Sequence, residues 1–208
     1  IRYINLDFEY IKARWDFRAE RWDSDLCDAD SHLNRCGSYQ RYLELLDSVL
    51  KTVSAKNEKT FLDLGCGTGA LLEFCSKMFR KSYGIDISDK MLQKAREKQI
   101  LNTEFIQDDC FHFLKQKQVF DFIASRGVLL SHYGKKNSVN LLKSIYISLA
   151  NDGIALLDAL SKDCPENPKE KYLFSVDEIK DMANSVGFQK VSLHSEDGYP
   201  LIYLEVQK

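Results

Sequence analysis

Near the N-terminus of the chain, apolar residues recur every third or fourth position. Phe8, Ile11, Trp15, Ala19 and Trp22 do so between Asp7 and Asp25, and Tyr39, Tyr42, Leu43, Leu46, Val49 and Leu50 repeat the pattern further on. The spacing predicts two amphipathic helices, separated by a looser polar stretch from Ser24 to Gly37 and closed at Asn57-Glu58-Lys59. Beyond that point the rhythm changes. Short apolar runs at Thr60–Leu64, Ser82–Ile87, Glu104–Gln107, Phe120–Ser125, Ile154–Leu160, Gln189–His194 and Leu201–Val206 read as strands. Between them, helices are expected at Ala70–Phe79, at Asp89–Lys98 behind the N-cap Ser88, and near Ser138–Leu149. Ser175 and Glu178 form a capping box for a helix ending near Gly187, while Asn151-Asp152-Gly153 and Gly198–Pro200 are turns. Strands alternating with helices predict an α/β fold: a seven-stranded, mostly parallel sheet with helices on both faces and an antiparallel strand at the C-terminus. No repeat or linker interrupts the pattern. A single domain, 1–208, is expected, with a helical head over 1–57 and an α/β body over 58–208.

Composition narrows the class. The 208 residues are 44% hydrophobic and 29% charged, which excludes a disordered or low-complexity chain. Lys and Arg number 29 against 31 Asp and Glu, a net charge of −2. A protein that neutralises many phosphates needs a basic surplus, so nucleic acid is disfavoured as a partner. No apolar run approaches the roughly 18 residues of a membrane span, and no membrane association is expected. Six scattered cysteines with no C-x-x-C pair point to reduced thiols and a cytoplasmic location. Cys27, His32 and Cys36 cluster, but the spacing fits no standard zinc pattern, and no metal is expected. A monomer or homodimer is anticipated.

The strongest chemical signal is Phe61-Leu62-Asp63-Leu64-Gly65-Cys66-Gly67-Thr68-Gly69-Ala70, at a strand-to-helix junction. Three glycines in five residues let the backbone turn tightly and let a ligand approach closely. Gly65, Gly67 and Ala70 satisfy the dinucleotide fingerprint, and Asp86, at the end of the second strand, suits two ribose hydroxyls. Neither feature distinguishes a nicotinamide from an adenosylmethionine site. Three others favour the latter: about sixty residues precede the loop, Asp63 suits a cationic amino-acid ligand, and Asp108-Asp109 closes the third strand where an adenine would lie.

Leu62-Asp63-Leu64-Gly65-Cys66-Gly67-Thr68-Gly69, Gly84-Ile85-Asp86-Ile87-Ser88-Asp89-Lys90-Met91-Leu92, Phe105-Ile106-Gln107-Asp108-Asp109 and Phe120-Asp121-Phe122-Ile123-Ala124-Ser125-Arg126-Gly127-Val128-Leu129 together resemble the successive motifs of class I S-adenosylmethionine-dependent methyltransferases, of the small-molecule type. The resemblance runs in order from about Thr60 to the C-terminus and implies a Rossmann-like sheet under an N-terminal helical lid. It implies that Gly65, Cys66 and Gly67 pack against the methionine and ribose of S-adenosylmethionine, with Asp63 near the ammonium. Asp86 would hold the ribose hydroxyls, and Ile87 and Met91 would line the adenine. Asp109, the Cys110 backbone and a competing Asp108 would stand at the adenine edge, and the Ser125 carbonyl would receive the ammonium. The product would be S-adenosyl-L-homocysteine.

The acceptor is less legible. No N-P-P or D-P-P motif of amino methylation follows the fourth strand. Ser125-Arg126-Gly127-Val128-Leu129-Leu130-Ser131-His132-Tyr133 stands there instead and resembles the corresponding loop of small-molecule methyltransferases. His132 is the candidate general base, and Arg126 and Tyr133 are candidates for holding an anionic or aromatic acceptor. His112 is expected to pack near the cofactor and His194 to be structural. In the head, Trp15, Arg18, Trp22, Tyr39 and Tyr42 are candidate acceptor contacts in a lid; packing the head onto the sheet is the alternative for most of them. The leading reading is methyl transfer by in-line displacement to a small molecule, at O, N or C. An RNA or protein methyltransferase, a non-catalytic cofactor-binding module and a nicotinamide oxidoreductase are the alternatives.

Overall fold

In a computed structural model of the chain, residues 8–27, 38–116, 118–127, 129–164 and 171–208 are described. Seven strands lie in one sheet in the order β3-β2-β1-β4-β5-β7-β6. The chain divides into two compact units, with the boundary between Cys110 and Phe111.

The N-terminal unit holds helices α1 (Phe8–Arg18), α2 (Trp22–Cys27) and α3 (Ser38–Thr52), then β1 (Thr60–Leu64), α4 (Ala70–Cys75), β2 (Lys81–Asp86), α5 (Asp89–Glu97) and β3 (Thr103–Gln107). Both strand pairs are parallel: Asp63 stands opposite Gly84, and Asp86 opposite Gln107. Because parallel strands are covered on both faces they read as apolar runs, and Phe61, Leu62 and Leu64 are completely buried. The head was expected as one helix from Asp7 to Asp25. A 3-10 turn at Ala19–Arg21 divides it instead, and at three residues per turn rather than 3.6 it rotates the face that follows. On α5 the expected N-cap is present, with Ser88 Oγ accepting from the Met91 amide at 3.2 Å.

The C-terminal unit continues from α6 (Cys110–Leu114) through β4 (Phe120–Ala124), α7 (Leu129–Ser148), β5 (Leu149–Leu160), α8 (Val176–Val186), β6 (Lys190–His194) and β7 (Leu201–Gln207). β4 and β5 are parallel, while β7 runs antiparallel to both β5 and β6. The Asn151–Gly153 turn survives as a bulge within a longer strand. Phe120 pairs with Leu149 but Phe122 with Ile154, and Asp152 takes φ 61°. The Ser175–Glu178 capping box forms as expected, each backbone amide donating to the other residue's side chain at 3.0 and 3.2 Å. The Ser175 amide and Lys162 hold the Glu178 carboxyl down at a pKa of about 2.

Two local features of this unit differ from the sequence expectation. α6 was not foreseen, and it is anchored by the buried Phe113 and Leu114. α7 starts at Leu129 rather than near Ser138 and breaks at Gly134, where φ is 68° and ψ 169°. Tertiary bonds hold its first turn: Ser131 Oγ accepts from the Leu160 amide, the Ser131 carbonyl accepts from the Tyr172 amide, and Ser138 Oγ donates to the Leu130 carbonyl, each at 2.8 Å. Among the described residues no helix is long and apolar enough to cross a membrane.

Candidate functional site

The glycine loop after β1 is tied down by its own backbone. The amides of Gly65 and Cys66 both donate to the Ile85 carbonyl, at 2.8 and 2.9 Å. Gly65 and Gly67 take φ 75° and 53°, the left-handed region that side chains disfavour. Asp86 then bridges this loop to the next one. Its Oδ2 accepts from the Gly67 amide and its Oδ1 from the Ser88 amide, both at 2.8 Å. Burial pushes the Asp86 pKa up to about 6, against the pull of the Ser88 and Gly67 amides. A carboxylate oxygen accepts more than one hydrogen bond, so Asp86 keeps capacity for hydroxyl donors.

Asp63 stands at the opposite extreme. It is 1% exposed, and neither carboxyl oxygen has a hydrogen-bond partner among the described residues. Burial, and then the charge of Asp86, raise its pKa well above the ordinary carboxylate value. A buried acid without a partner is costly, and a cationic group delivered to the loop removes the cost. These residues therefore fit a ligand with a cationic amino-acid end and ribose hydroxyls.

The third edge of the cradle follows β3. Asp108 donates its amide to the Asp86 carbonyl at 3.1 Å, and its Oδ1 accepts from the Asp109 amide at 2.8 Å. That bond engages the Asp108 side chain in its own turn. Met91 is buried, and the Ile87 carbonyl accepts from Gln107 Nε2 at 3.2 Å. Cys66 and Cys110 are buried thiols with raised pKa values, chiefly through burial and then through Asp86 and Asp109 respectively. They are packing groups and not nucleophiles.

Residues 61–153 match the family model described as a methyltransferase domain. A malonyl-[acyl-carrier protein] O-methyltransferase of Halalkalibacterium halodurans is 35% identical over 112 residues, covering 50% of this chain and 40% of that protein. The corresponding enzyme of Bacillus cereus is 28% identical over 137 residues, 61% of this chain and 49% of the relative. The matched stretch thus spans less than half the length of either relative. Among solved structures, magnesium protoporphyrin IX methyltransferase from Synechocystis PCC 6803 with bound SAH aligns at a TM-score of 0.75 and 17% identity, covering 97% of this chain and all of that one. By its fold, and by the methyltransferase-domain match over 61–153, the chain is similar to the class I S-adenosylmethionine-dependent methyltransferases.

The head lies within the same unit as the glycine loop. Trp22 rests against the glycine loop: a Cβ on Gly67 would stand 3.1 Å from its Nε1. Trp15 meets Trp22 edge to face at 5.6 Å between ring centroids, and the Arg18 guanidinium lies 5.5 Å from the Trp15 ring. Tyr39 is half-buried on α3, and Tyr42 is completely buried. Two acidic residues of the head, Asp16 and Asp23, bond the loops after β2 and β1 directly. Trp22-Asp23 resembles the aromatic-Asp pair of the family's cofactor lid, whereas Asp16 sits among many charges on a helix and carried no such signal.

The C-terminal unit carries the remaining candidates. Ser125 is buried and its amide donates to the Leu156 carbonyl at 3.0 Å. Arg126 is half-buried, and His132 is buried on the first turn of α7. Tyr133 packs edge to face on Phe111 at 4.8 Å. The sequence reading missed Asp158, Tyr199 and Tyr203. Both Asp158 oxygens lie 3.2 Å from the Gly127 amide, fixing the segment after β4. Asp158 stands opposite Tyr203, whose hydroxyl meets that of Tyr199 at 3.2 Å. Burial and the Tyr199 hydroxyl drive the Tyr203 pKa far upward, so this phenol stays neutral and is no base. On the strand, His194 pairs with Glu205 at 3.1 Å, whereas His112 is exposed on α6. Among the described residues no group of His, Cys, Asp and Glu is arranged to hold a metal; His32 and Cys36 of the Cys27–His32–Cys36 cluster lie outside them.

Proposed function

We propose that this methyltransferase transfers the methyl group of S-adenosylmethionine to an oxygen of a small anionic molecule. The observation that carries the cofactor half of this reading is Asp63, a buried carboxylate with neither oxygen partnered, beside a glycine loop that Asp86 holds open. In that half Asp63 would neutralise the amino-acid ammonium and Asp86 would accept from the ribose hydroxyls. Asp109 and the Cys110 backbone would hold the adenine edge, with Ile87 and Met91 along the ring, and the Ser125 carbonyl would be a second acceptor for the ammonium.

When bound, the cofactor supplies an electrophilic methyl on a sulfonium, and displacement neutralises that charge. The protein's part is to hold the acceptor in line and to exclude water. Arg126 is proposed to pair with the acceptor's negative charge, and Tyr133 to pack against it. A carboxylate acceptor needs no base, whereas a hydroxyl does. For a hydroxyl, His132 is the proposed proton acceptor, because an imidazole titrates near neutrality. The choice of oxygen is supported by the names of the two malonyl-[acyl-carrier protein] O-methyltransferase relatives. Trp15, Arg18, Tyr39 and Tyr42 complete the proposed lid, and the chain is proposed to act as one domain with that lid over 1–57.

The test is transfer of tritiated methyl from S-adenosylmethionine to malonyl-CoA and to a panel of small carboxylic acids and phenols, with transfer RNA and denatured protein as the competing acceptors. Label entering a small acid supports the reading. Label confined to RNA or protein replaces it with the macromolecular alternative.

A further inference from the structure

Asp86 receives one backbone amide from each cofactor loop, Gly67 from the first and Ser88 from the second. Each of those loops is in turn held by one carboxylate of the head. Asp16, on α1, accepts from Ser88 Oγ at 2.6 Å and from the Lys90 amide at 3.2 Å. Its other oxygen takes the Lys12 ammonium at 2.7 Å. Asp23, on α2, accepts from the hydroxyl of Thr68 and pairs with Lys98 at 3.1 Å. Thr68 is completely buried and is the residue next to Gly67.

Both bonds are more than surface decoration. Burial pushes the Asp16 carboxyl up, yet the bonds from Lys12, Ser88 and the Lys90 amide outweigh it and leave its pKa below the ordinary value. Ser88 is buried as well, and it both caps α5 and presents the amide that holds Asp86.

We propose that Asp16 and Asp23 are positioning residues for S-adenosylmethionine. They clasp the Ser88 and Thr68 loops and thereby set the two amides that aim Asp86. By linkage, whatever the clasp contributes to cofactor binding, the cofactor returns to docking of the head. The proposal rests on the cofactor assignment and is independent of the acceptor.

The chain's two tryptophans, Trp15 and Trp22, both lie in the head. Tryptophan fluorescence, excited selectively over the tyrosines, therefore reports the head, and calorimetric titration with S-adenosylhomocysteine reports the cradle. Asp16→Ala and Asp23→Ala are each expected to weaken S-adenosylhomocysteine about tenfold, the lower end for charge-assisted hydrogen bonds because both carboxylates are partly exposed. Asp16→Asn restores most of the loss, since its amide oxygen still accepts from Ser88. Thr68→Val reproduces the Asp23→Ala loss, and the double variant is no weaker than either single one, because both remove the same bond. The ligand-induced fluorescence change moves to higher concentration in parallel.

Affinities within twofold of wild type in all single variants overturn the clasp, as do losses that multiply in the double variant. If an alanine variant fails to fold by circular dichroism, Thr68→Val decides alone, because it exchanges a hydroxyl for a methyl and leaves the head intact. A wild-type chain that does not bind S-adenosylhomocysteine overturns the cofactor assignment and the clasp together, whereas binding that survives every variant overturns the clasp alone.

Discussion

Replacing Asp63 by Asn should move stability and ligand affinity in opposite directions. The folded-state pKa of Asp63 is raised well above the usual value near 3.8, first by burial and then by Asp86. The folded apo protein therefore holds that proton more tightly than the unfolded chain does. Stability from this group is fully present below the unfolded pKa and is lost as pH rises toward the folded one. The Asn side chain keeps the shape and does not ionise, so the variant escapes the loss. At pH 8 the apo variant should melt above wild type by about 1–3 kcal/mol, the extra cost of an unpartnered buried group that carries charge over one that does not, or roughly 2–12 °C for a domain of this size. At pH 4 the two should coincide. Affinity goes the other way, since Asn cannot neutralise an ammonium. A charge-assisted bond of about 1.5–3 kcal/mol should be lost, weakening S-adenosylhomocysteine roughly ten- to a hundredfold. Differential scanning calorimetry at both pH values and titration calorimetry at pH 8 supply the two numbers. Undiminished affinity, or a variant less stable than wild type at pH 8, would refute the assignment of Asp63 as the partner of a bound cation.

Asp86→Ala should cost S-adenosylhomocysteine roughly 2–4 kcal/mol by titration calorimetry, through two lost charge-assisted acceptors. With its pKa raised to about 6, Asp86 protonates as pH falls through 6, so wild-type affinity should drop by up to about tenfold per pH unit below that point, and Asp86→Asn should remove this part of the profile and leave the part that Asp63 sets. His132→Ala should lower kcat for whichever acceptor is found while leaving the S-adenosylhomocysteine Kd unchanged; full turnover would make His132 structural. Gly67→Ala puts a methyl 3.1 Å from Trp22 at a backbone φ of 53°, so it should weaken the ligand and shift the tryptophan emission of the apo protein, both read in one fluorescence titration.

The sequence showed the parts of this molecule that depend on local pattern. Parallel strands buried on both faces announce themselves as apolar runs, so β1 to β5 were placed within a few residues except at the start of β5. There, Leu149 and Ala150 belong to the strand on the far side of a bulge that a turn motif disguises. The turn of the glycine loop was equally legible, because Gly65 and Gly67 are residue types chosen for backbone reasons. What escaped notice depends on tertiary contacts. The first turn of α7 ends in a glycine and forms because Ser131 and Ser138 bond it to distant backbone. Asp16 looks like any charge on a helix until its hydroxyl partner, 72 residues away, is known. Asp158 and Tyr203 lie on apolar strands where the pattern suggests only core. Their pairing across β5 and β7 follows from register, which composition does not reveal.

The central claim is that the glycine loop, Asp63 and Asp86 form a site for S-adenosylmethionine. The most direct test is calorimetric titration of the purified chain with S-adenosylhomocysteine, with NAD as the parallel ligand. The account predicts micromolar binding of S-adenosylhomocysteine at one site per chain and none of NAD. Binding of NAD alone, or of neither ligand, would contradict it.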